Sequence, residues 1–414
     1  MKRPVKRTLV FYLVGIMFSY LILELLSFAT LQALEVLRPR LFVGGFVDSH
    51  FDAITSEARA EFIADAYDPD LGWDNRPLYE YHWRNSLGQP YLVSYEADGS
   101  RADSLPRKNL LINAYGDSFT WCDEVGNDET WEYFLESRIG YEVKNFGVGA
   151  YGTDQAILKL ERHLAQGISA PITILGILDE NINRVITSFR PFYDEFSGVV
   201  LGFKPSFKVG SNGRVEMIPN PYGQAESSLQ DLRALAHRMA AEDFWMSKSR
   251  RITIGYPYIF QLVRTASFIV DRKLDDWSGS EAHYTEGVNL WETADGSTIM
   301  HYLVDRFVGL TAKSDSIPIV VFLPTGKTLE DGGTPPYETF KSQIQERHAG
   351  LTVIDLMDYE FDRERFNVKP FGGHASVYGN QVIARVIEQS YEKIRNEGKL
   401  TFAASELPDG GAGQ

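Results

Sequence analysis

Asn109-Leu110-Leu111-Ile112-Asn113-Ala114-Tyr115-Gly116-Asp117-Ser118-Phe119-Thr120 is a short apolar run that stops abruptly on Gly-Asp-Ser. A run of this length ending in a glycine turn reads as a buried strand. The residues after it continue in alternation. Glu129 to Arg138 has a helical pattern, Tyr141 to Phe146 reads as a strand, and Thr153 to Gln166 carries Ala156, Ile157, Leu160 and Leu164 on one face of a helix. Ile172 to Leu178, Ile317 to Leu323 and Leu351 to Leu356 are further apolar strands. Tyr337 to His348 is a helix between the last two, and Gly379 to Glu397 is a closing helix. Strands alternating with helices predict an α/β fold, a mostly parallel sheet covered on both faces in three layers, α/β/α.

Upstream, Lys2, Arg3, Lys6 and Arg7 precede Leu9 to Leu23, fifteen residues without a charge; after Glu24 the apolar run continues to Leu34. About 26 residues make a helix of about 39 Å, enough for a hydrocarbon core of about 30 Å. The expected organisation is therefore a cytoplasmic N-terminus at 1–7, a transmembrane anchor at 8–34, and a remainder delivered outside by the positive-inside rule. A cleaved signal peptide fits less well, because Leu31-Gln32-Ala33 offers one small residue where a cleavage site wants two. The implied location is the inner membrane, single-pass, with the bulk of the chain facing the periplasm or cell exterior. Glu24 is expected to snorkel or to meet a partner helix.

Residues 35–105 read as a linker and turn-rich lead-in, with Tyr67-Asp68-Pro69-Asp70-Leu71-Gly72-Trp73 and Asp98-Gly99-Ser100-Arg101 as turn chemistry. The main domain is expected at 106–402. An aromatic-rich insertion at about 190–300 breaks its rhythm and carries a hairpin signal at Ser211-Asn212-Gly213. It is expected over the active-site end of the sheet. Residues 403–414 read as a disordered tail.

Composition excludes several classes. The chain has 414 residues, 44% hydrophobic and 23% charged, which describes a folded protein with ample core. Its formal charge is −15 although four of its cations crowd the first seven residues, so a nucleic-acid partner is excluded. The single cysteine, Cys122, forbids an intrachain disulfide and reads as a buried small side chain. No His, Cys or carboxylate cluster has zinc spacing; neither a metal nor another cofactor is expected.

Four polar blocks stop strands or open helices, in order: Gly116-Asp117-Ser118-Phe119-Thr120, Asn145-Phe146-Gly147-Val148-Gly149-Ala150-Tyr151-Gly152, Gly176-Ile177-Leu178-Asp179-Glu180-Asn181, and Gly373-His374-Ala375-Ser376-Val377-Tyr378-Gly379-Asn380. Open α/β sheets bind ligands at the carboxyl ends of their strands, where these blocks fall. With these blocks, residues 109–395 resemble the SGNH (GDSL-type) hydrolases, and most closely their bacterial, membrane-anchored members. The resemblance implies a flavodoxin-like domain in which Ser118 is the nucleophile and His374 its base. It also implies an oxyanion hole built from the amide of Ser118, an amide of the Asn145 loop and the side chain of Asn181.

Two positions depart from that family. Ala150 stands where a glycine is usual, so a positive φ there would be strained, and Gly149 is the alternative donor. The family's acid lies three residues before the histidine, and here that residue is Phe371. Asp355, Asp358 and Asp362 are the candidate acids, with a Ser–His dyad as the alternative.

Gly147-Val148-Gly149-Ala150-Tyr151-Gly152 also fits a dinucleotide fingerprint, but the acid it requires would fall near Thr173, and none ends a strand there. Gly326-Lys327-Thr328 echoes a phosphate loop, yet Val321 replaces the leading glycine. His163 reads as a surface or packing residue. Phe192, Tyr193, Phe196 and Phe203 are candidates for stacking on sugar rings, with core packing the competing role.

The expectation is thus a serine esterase acting on acyl, chiefly O-acetyl, esters of an envelope or exopolysaccharide glycan or of another small ester. The alternatives are an O-acyltransferase using the same residues, and a non-catalytic envelope protein that binds glycan or partner proteins.

Overall fold

The structure is a computed structural model that describes residues 4–194, 199–249, 251–278, 289–398 and 400. Phe196 and the tail 403–414 lie outside the described residues, as do the basic side chains of the first seven positions.

The chain divides into two compact units. One comprises residues 1–62, 189–196 and 224–288; the other comprises 63–188, 197–223 and 289–414. The second holds a five-stranded parallel sheet: β1 (Leu110–Tyr115), β2 (Glu142–Asn145), β3 (Ile172–Leu178), β4 (Ile317–Leu323) and β5 (Thr352–Asp355). Its order is β5-β4-β3-β1-β2, which is the flavodoxin-like 2-1-3-4-5 read from the other edge. β3 is buried at all seven positions, as a central parallel strand must be.

Six helices of this unit matter here: α1 (Ser118–Trp121), α2 (Trp131–Ile139), α3 (Thr153–Ala165), α4 (Ala294–Lys313), α5 (Glu338–Arg347) and α6 (Val377–Asn396). α2 and α6 pack on each other over one face, while α3 and α4 pair over the opposite face. The core between sheet and α6 contains Leu111, Ile112, Ile174, Val321, Ile354, Ile383, Val386 and Ile387. Thr130 caps α2 by accepting from Tyr133 N, and Ser376 caps α6 by accepting from Gly379 N, so both helix starts are fixed by side chains. The fold is the three-layer α/β/α arrangement expected.

Three parts differ from the sequence reading. The lead-in is not a linker. It folds as helices Val43–Asp52 and Ser56–Asp65 and as hairpins Tyr67–Asp68/Gly72–Trp73 and Glu80–Arg84/Pro90–Ser94. Second, 190–300 is not one block: residues 197–223, with antiparallel strands Ser206–Val209 and Val215–Ile218 around Gly213 (φ +74°), belong to the sheet unit, whereas 224–288 join the N-terminal residues. Third, Phe192 and Phe203 are 1% exposed and serve as core; Tyr193 packs on Trp245.

In the N-terminal unit a helix runs from Pro4 to Leu37, and its Thr8–Leu37 portion is long and apolar enough to cross a membrane. The helices Val43–Asp52 and Leu229–Ala240 pack together through His237–Asp48 (2.9 Å) and the Arg233–Asp52 ion pair.

Candidate active site

Ser118 opens α1 at the carboxyl end of β1, beside the point where strand order reverses. Two glycines let it sit there. A Cβ on Gly116 would lie 2.1 Å from Thr120 Oγ1, and one on Gly176 would lie 2.3 Å from the same oxygen, so Thr120 fills a notch that only bare backbone leaves open. The second block closes in from the other side. A Cβ on Gly147 would meet Trp121 N at 2.3 Å, and Asn145 Nδ2 donates to Thr120 O at 2.7 Å.

Asp117 fixes the start of α1. Its Oδ1 accepts from Phe119 N at 2.9 Å, and its Oδ2 accepts from Asn181 Nδ2 at 2.8 Å and from Arg184 at 3.3 Å. Asn181 is thereby committed. It is 1% exposed, its amide nitrogen serves Asp117 and the Tyr151 carbonyl (3.4 Å), and its oxygen accepts from Leu178 N at 2.7 Å. The expectation that its side chain faces an oxyanion is corrected: it braces Asp117, the residue before Ser118.

His374 reaches the serine directly. Its Nε2 lies 2.8 Å from Ser118 Oγ, and its ring leans on Phe119 with centroids 5.0 Å apart. Phe371 and Gly373 have φ of +54° and +74° and re-aim the chain just before the histidine. This loop is tightly abutted: a Cβ on Gly326 would stand 2.0 Å from Phe371 O, and one on Gly373 would stand 2.8 Å from Glu124 Oε2. The Gly326-Lys327-Thr328 stretch opens a six-residue helix against that loop and is not a phosphate cradle.

None of the three expected acids serves the imidazole. Asp355 accepts from Lys341 Nζ (2.7 Å), Tyr337 OH (3.0 Å) and Met357 N; Asp358 also pairs with Lys341; Asp362 caps the helix Arg363–Phe366. The carboxylate facing Nδ1 of His374 is Asp123, with Oδ2 at 3.6 Å. Its Oδ1 accepts from Tyr91 OH at 2.7 Å and from Glu124 N at 2.8 Å. At 3.6 Å this is an ion-pair distance, longer than a hydrogen bond.

The turn bearing Asp123 is held from beneath. Cys122 and Glu124 both have left-handed φ, +61° and +71°. Arg101, 5% exposed, gathers the carbonyls of Trp121, Cys122 and Val125 on its guanidinium while its Nε donates to Asn127 at 3.0 Å. Cys122 Sγ lies 3.3 Å from Glu132 Oε2 inside the core; burial pushes the Glu132 carboxyl up to about 8 and the thiol up as well. Cys122 is a packed small side chain.

The second-block loop is fastened by the lead-in. Trp73 Nε1 donates to Gly149 O at 2.9 Å, Asn75 Nδ2 to Gly147 O at 2.8 Å, and Tyr151 OH to Trp73 O at 2.6 Å. Ala150 carries φ +63°, the strained turn anticipated for a non-glycine there. His163 packs on Tyr115 and Phe146 and accepts or donates with Tyr115 OH at 3.0 Å; burial, then Lys159, depresses it to about 3.

A cavity of about 720 Å³ is lined by Asp68, Asp74, Lys159, Arg162 and His163 and includes none of Ser118, Asp123 or His374. Its charges are mutually paired: Lys159 with Asp74 at 2.6 Å, and Arg162 with both aspartates.

With this geometry in place, the chain can be compared with known folds. It is similar to G-D-S-L lipolytic proteins. The solved structure of one described so, from Desulfitobacterium hafniense DCB-2, aligns with a TM-score of 0.33 and 10% identity, covering 68% of this chain and 99% of that one. Another, from Veillonella parvula DSM 2008, gives 0.34 and 10%, covering 68% and 98%. No family model and no curated protein matches the chain. A likeness this remote assigns no residue; the Ser118, His374 and Asp123 contacts stand on their own geometry.

Proposed function

We propose that this chain is a membrane-anchored serine esterase that removes acyl groups, O-acetyl above all, from a glycan outside the cytoplasm. The observation that carries the reading is the 2.8 Å contact between Ser118 Oγ and His374 Nε2 at the carboxyl edge of a parallel sheet. That contact weighs against a non-catalytic binding protein, which has no use for an aligned base.

In the reaction, Ser118 Oγ bonds to the ester carbonyl carbon while His374 Nε2 takes the hydroxyl proton. The imidazolium that forms holds its Nδ1–H toward Asp123. Collapse of the tetrahedral intermediate breaks the bond to the alcohol oxygen, which leaves with the proton from Nε2. Water, deprotonated by the same nitrogen, then releases the acid and restores the serine. The oxyanion is held by the amides of Ser118 and of the Gly149–Ala150 turn, each such donor being worth about 3–4 kcal/mol of barrier.

Two features support a sugar substrate and an anchored enzyme. Trp83 is 48% exposed and sits directly across the hairpin from Tyr91, whose hydroxyl bonds Asp123, so an aromatic platform adjoins the acid. The apolar Thr8–Leu37 helix follows four basic residues, which orient the sheet unit away from the cytoplasm.

The test is fluorophosphonate labelling of the full chain in detergent beside Ser118→Ala and His374→Ala, followed by acetate release from an acetylated polysaccharide. Labelling that vanishes in Ser118→Ala and falls sharply in His374→Ala supports an activated serine. Absence of labelling in folded wild type overturns the reading. Acetyl appearing on an added glycan acceptor instead of as free acetate would make the enzyme a transferase.

A further inference from the structure

The helix Tyr258–Ser278 follows Pro257 and lies against the N-terminal apolar helix. Three contacts fix its level. Tyr256 OH and Tyr20 OH are 2.9 Å apart, Glu24 Oε2 accepts from Tyr258 N at 2.6 Å, and the rings of Phe28 and Tyr258 lie 4.9 Å apart. Further along, Leu262 and Ile269 pack against the cluster of Leu31, Leu41, Phe42 and Ile252. The second helix therefore starts beside Glu24 and runs in the same direction as the first.

That level is inside a membrane wherever the first helix is placed. A crossing takes about 20 residues. Any window of about that length within Thr8–Leu37 contains residues 18–27, and so contains both Tyr20 and Glu24. Whatever touches those two side chains shares their depth.

The second helix is also apolar on two sides. At 100° per residue, Tyr258, Leu262, Thr265 and Ile269 form one stripe, which is the side that meets the N-terminal helix. Phe260, Val263, Ser267 and Val270 form the opposite stripe. Phe260 is 70% exposed, Val263 64% and Val270 56%, while Tyr256 before the helix is 68% exposed. This outer stripe continues the apolar, exposed surface of the N-terminal helix, where Phe11, Ile16, Phe18 and Leu25 are each more than 60% exposed. Arg264 flanks this outer stripe, and its long side chain can reach the headgroup level while the stripe itself stays apolar.

Glu24 also acquires a reason. A helix start inside hydrocarbon leaves amides without water, and each unsatisfied group costs several kcal/mol. The Glu24 side chain, 5% exposed, supplies the acceptor for the Tyr258 amide at that helix start.

We infer that the segment from Ile254 to Val270 is a second membrane-embedded element, entering the outer hydrocarbon layer beside the N-terminal helix and returning with its Phe260–Val263–Val270 stripe against lipid acyl chains. The inference rests on the N-terminal helix being an anchor, and its test separates the two. The buried Cys122 is the sole native thiol, so the full chain without added cysteine serves as the labelling blank. Leu21→Cys, at a position inside every such window and 55% exposed, Phe260→Cys and Ser267→Cys would each be labelled with a nitrobenzoxadiazole dye in phosphatidylcholine–phosphatidylglycerol vesicles. Quenching by acyl-chain nitroxide lipids is then compared with quenching by aqueous iodide. The expected result is nitroxide quenching several-fold stronger than iodide quenching at all three positions. Nitroxide quenching at Leu21 with iodide access at 260 and 267 overturns the inference and leaves the anchor standing. Protection of 260 and 267 from both quenchers also overturns it, because protein would then cover the stripe. Iodide access at Leu21 removes the anchor itself.

Discussion

Asp123 Oδ2 stands 3.6 Å from Nδ1 of His374, five residues past the serine that Nε2 of the same ring meets at 2.8 Å. Ser118 and the carboxylate facing His374 thus belong to one short segment, and the histidine closes over both from the far end of the chain. Asp123→Asn keeps the shape and removes the charge that stabilises the imidazolium. Its kcat on a small activated ester is expected to fall by about 10²–10⁴-fold with KM little changed. Asp355→Asn, at a carboxylate held by Lys341 and Tyr337, should leave kcat within about 2-fold. Equal effects of the two substitutions would remove Asp123 from the site.

Arg101 shapes the turn that presents Asp123. Arg101→Met would leave the carbonyls of Trp121, Cys122 and Val125 without their shared donor. Buried groups abandoned in this way cost about 1–3 kcal/mol each. A loss of several kcal/mol in urea denaturation is expected, with kcat reduced in the fraction that remains folded. Arg101→Lys should not rescue it, since an ammonium cannot span the same carbonyls.

Gly147 tests the closeness of the second block to the helix that Ser118 opens. Its Cβ would stand 2.3 Å from Trp121 N, backbone that carries Ser118. Gly147→Ala is therefore expected to displace α1 and reduce fluorophosphonate labelling by at least tenfold. Gly167→Ala is a control: nothing stands within 4 Å of its Cβ, so only the strain of its φ of +80° applies, and labelling should stay near wild type.

The sheet was legible because its strands are continuous apolar runs bounded by turns. Ile172–Leu178 and Ile317–Leu323 have the bounds that pattern predicts. Ser118 and His374 were legible for a different reason: each sits in a polar block at a strand end or a helix start. Asp123 had no such signal. It rides on a turn whose left-handed residues, Cys122 and Glu124, are not glycines, and whose support is Arg101 bonding to backbone carbonyls that any sequence would supply. The hairpin Glu80–Arg84/Pro90–Ser94 was hidden because its first strand is exposed at four of five positions, so no apolar alternation marks it. The pairing of the N-terminal residues with 224–288 joins segments about 200 residues apart, a distance over which local periodicity says nothing.

Trp83 should separate glycan binding from chemistry. It lies across from Tyr91 without touching the Ser118–His374 pair. Trp83→Ala is expected to raise KM for an acetylated polysaccharide by about tenfold, the loss of one stacking contact. The rate on p-nitrophenyl acetate should not change. A loss on both substrates would make Trp83 a structural residue of the hairpin.

Glu132 gives the protein a stability that depends on pH. Burial raises its folded-state pKa to about 8, against an unfolded value near 4.5. Between those values the unfolded chain has released the proton that the folded chain retains. Folding therefore weakens as pH rises from about 4.5 to about 8, and the deficit is complete above that. Glu132→Gln removes the titration while keeping an oxygen that accepts from the Cys122 thiol. It should raise the unfolding free energy read from urea denaturation more at pH 9 than at pH 5, by an amount on the order of a few kcal/mol. A gain of equal size at both pH values would mean that the carboxyl is already ionised in the fold, with Arg101 close enough to offset its burial.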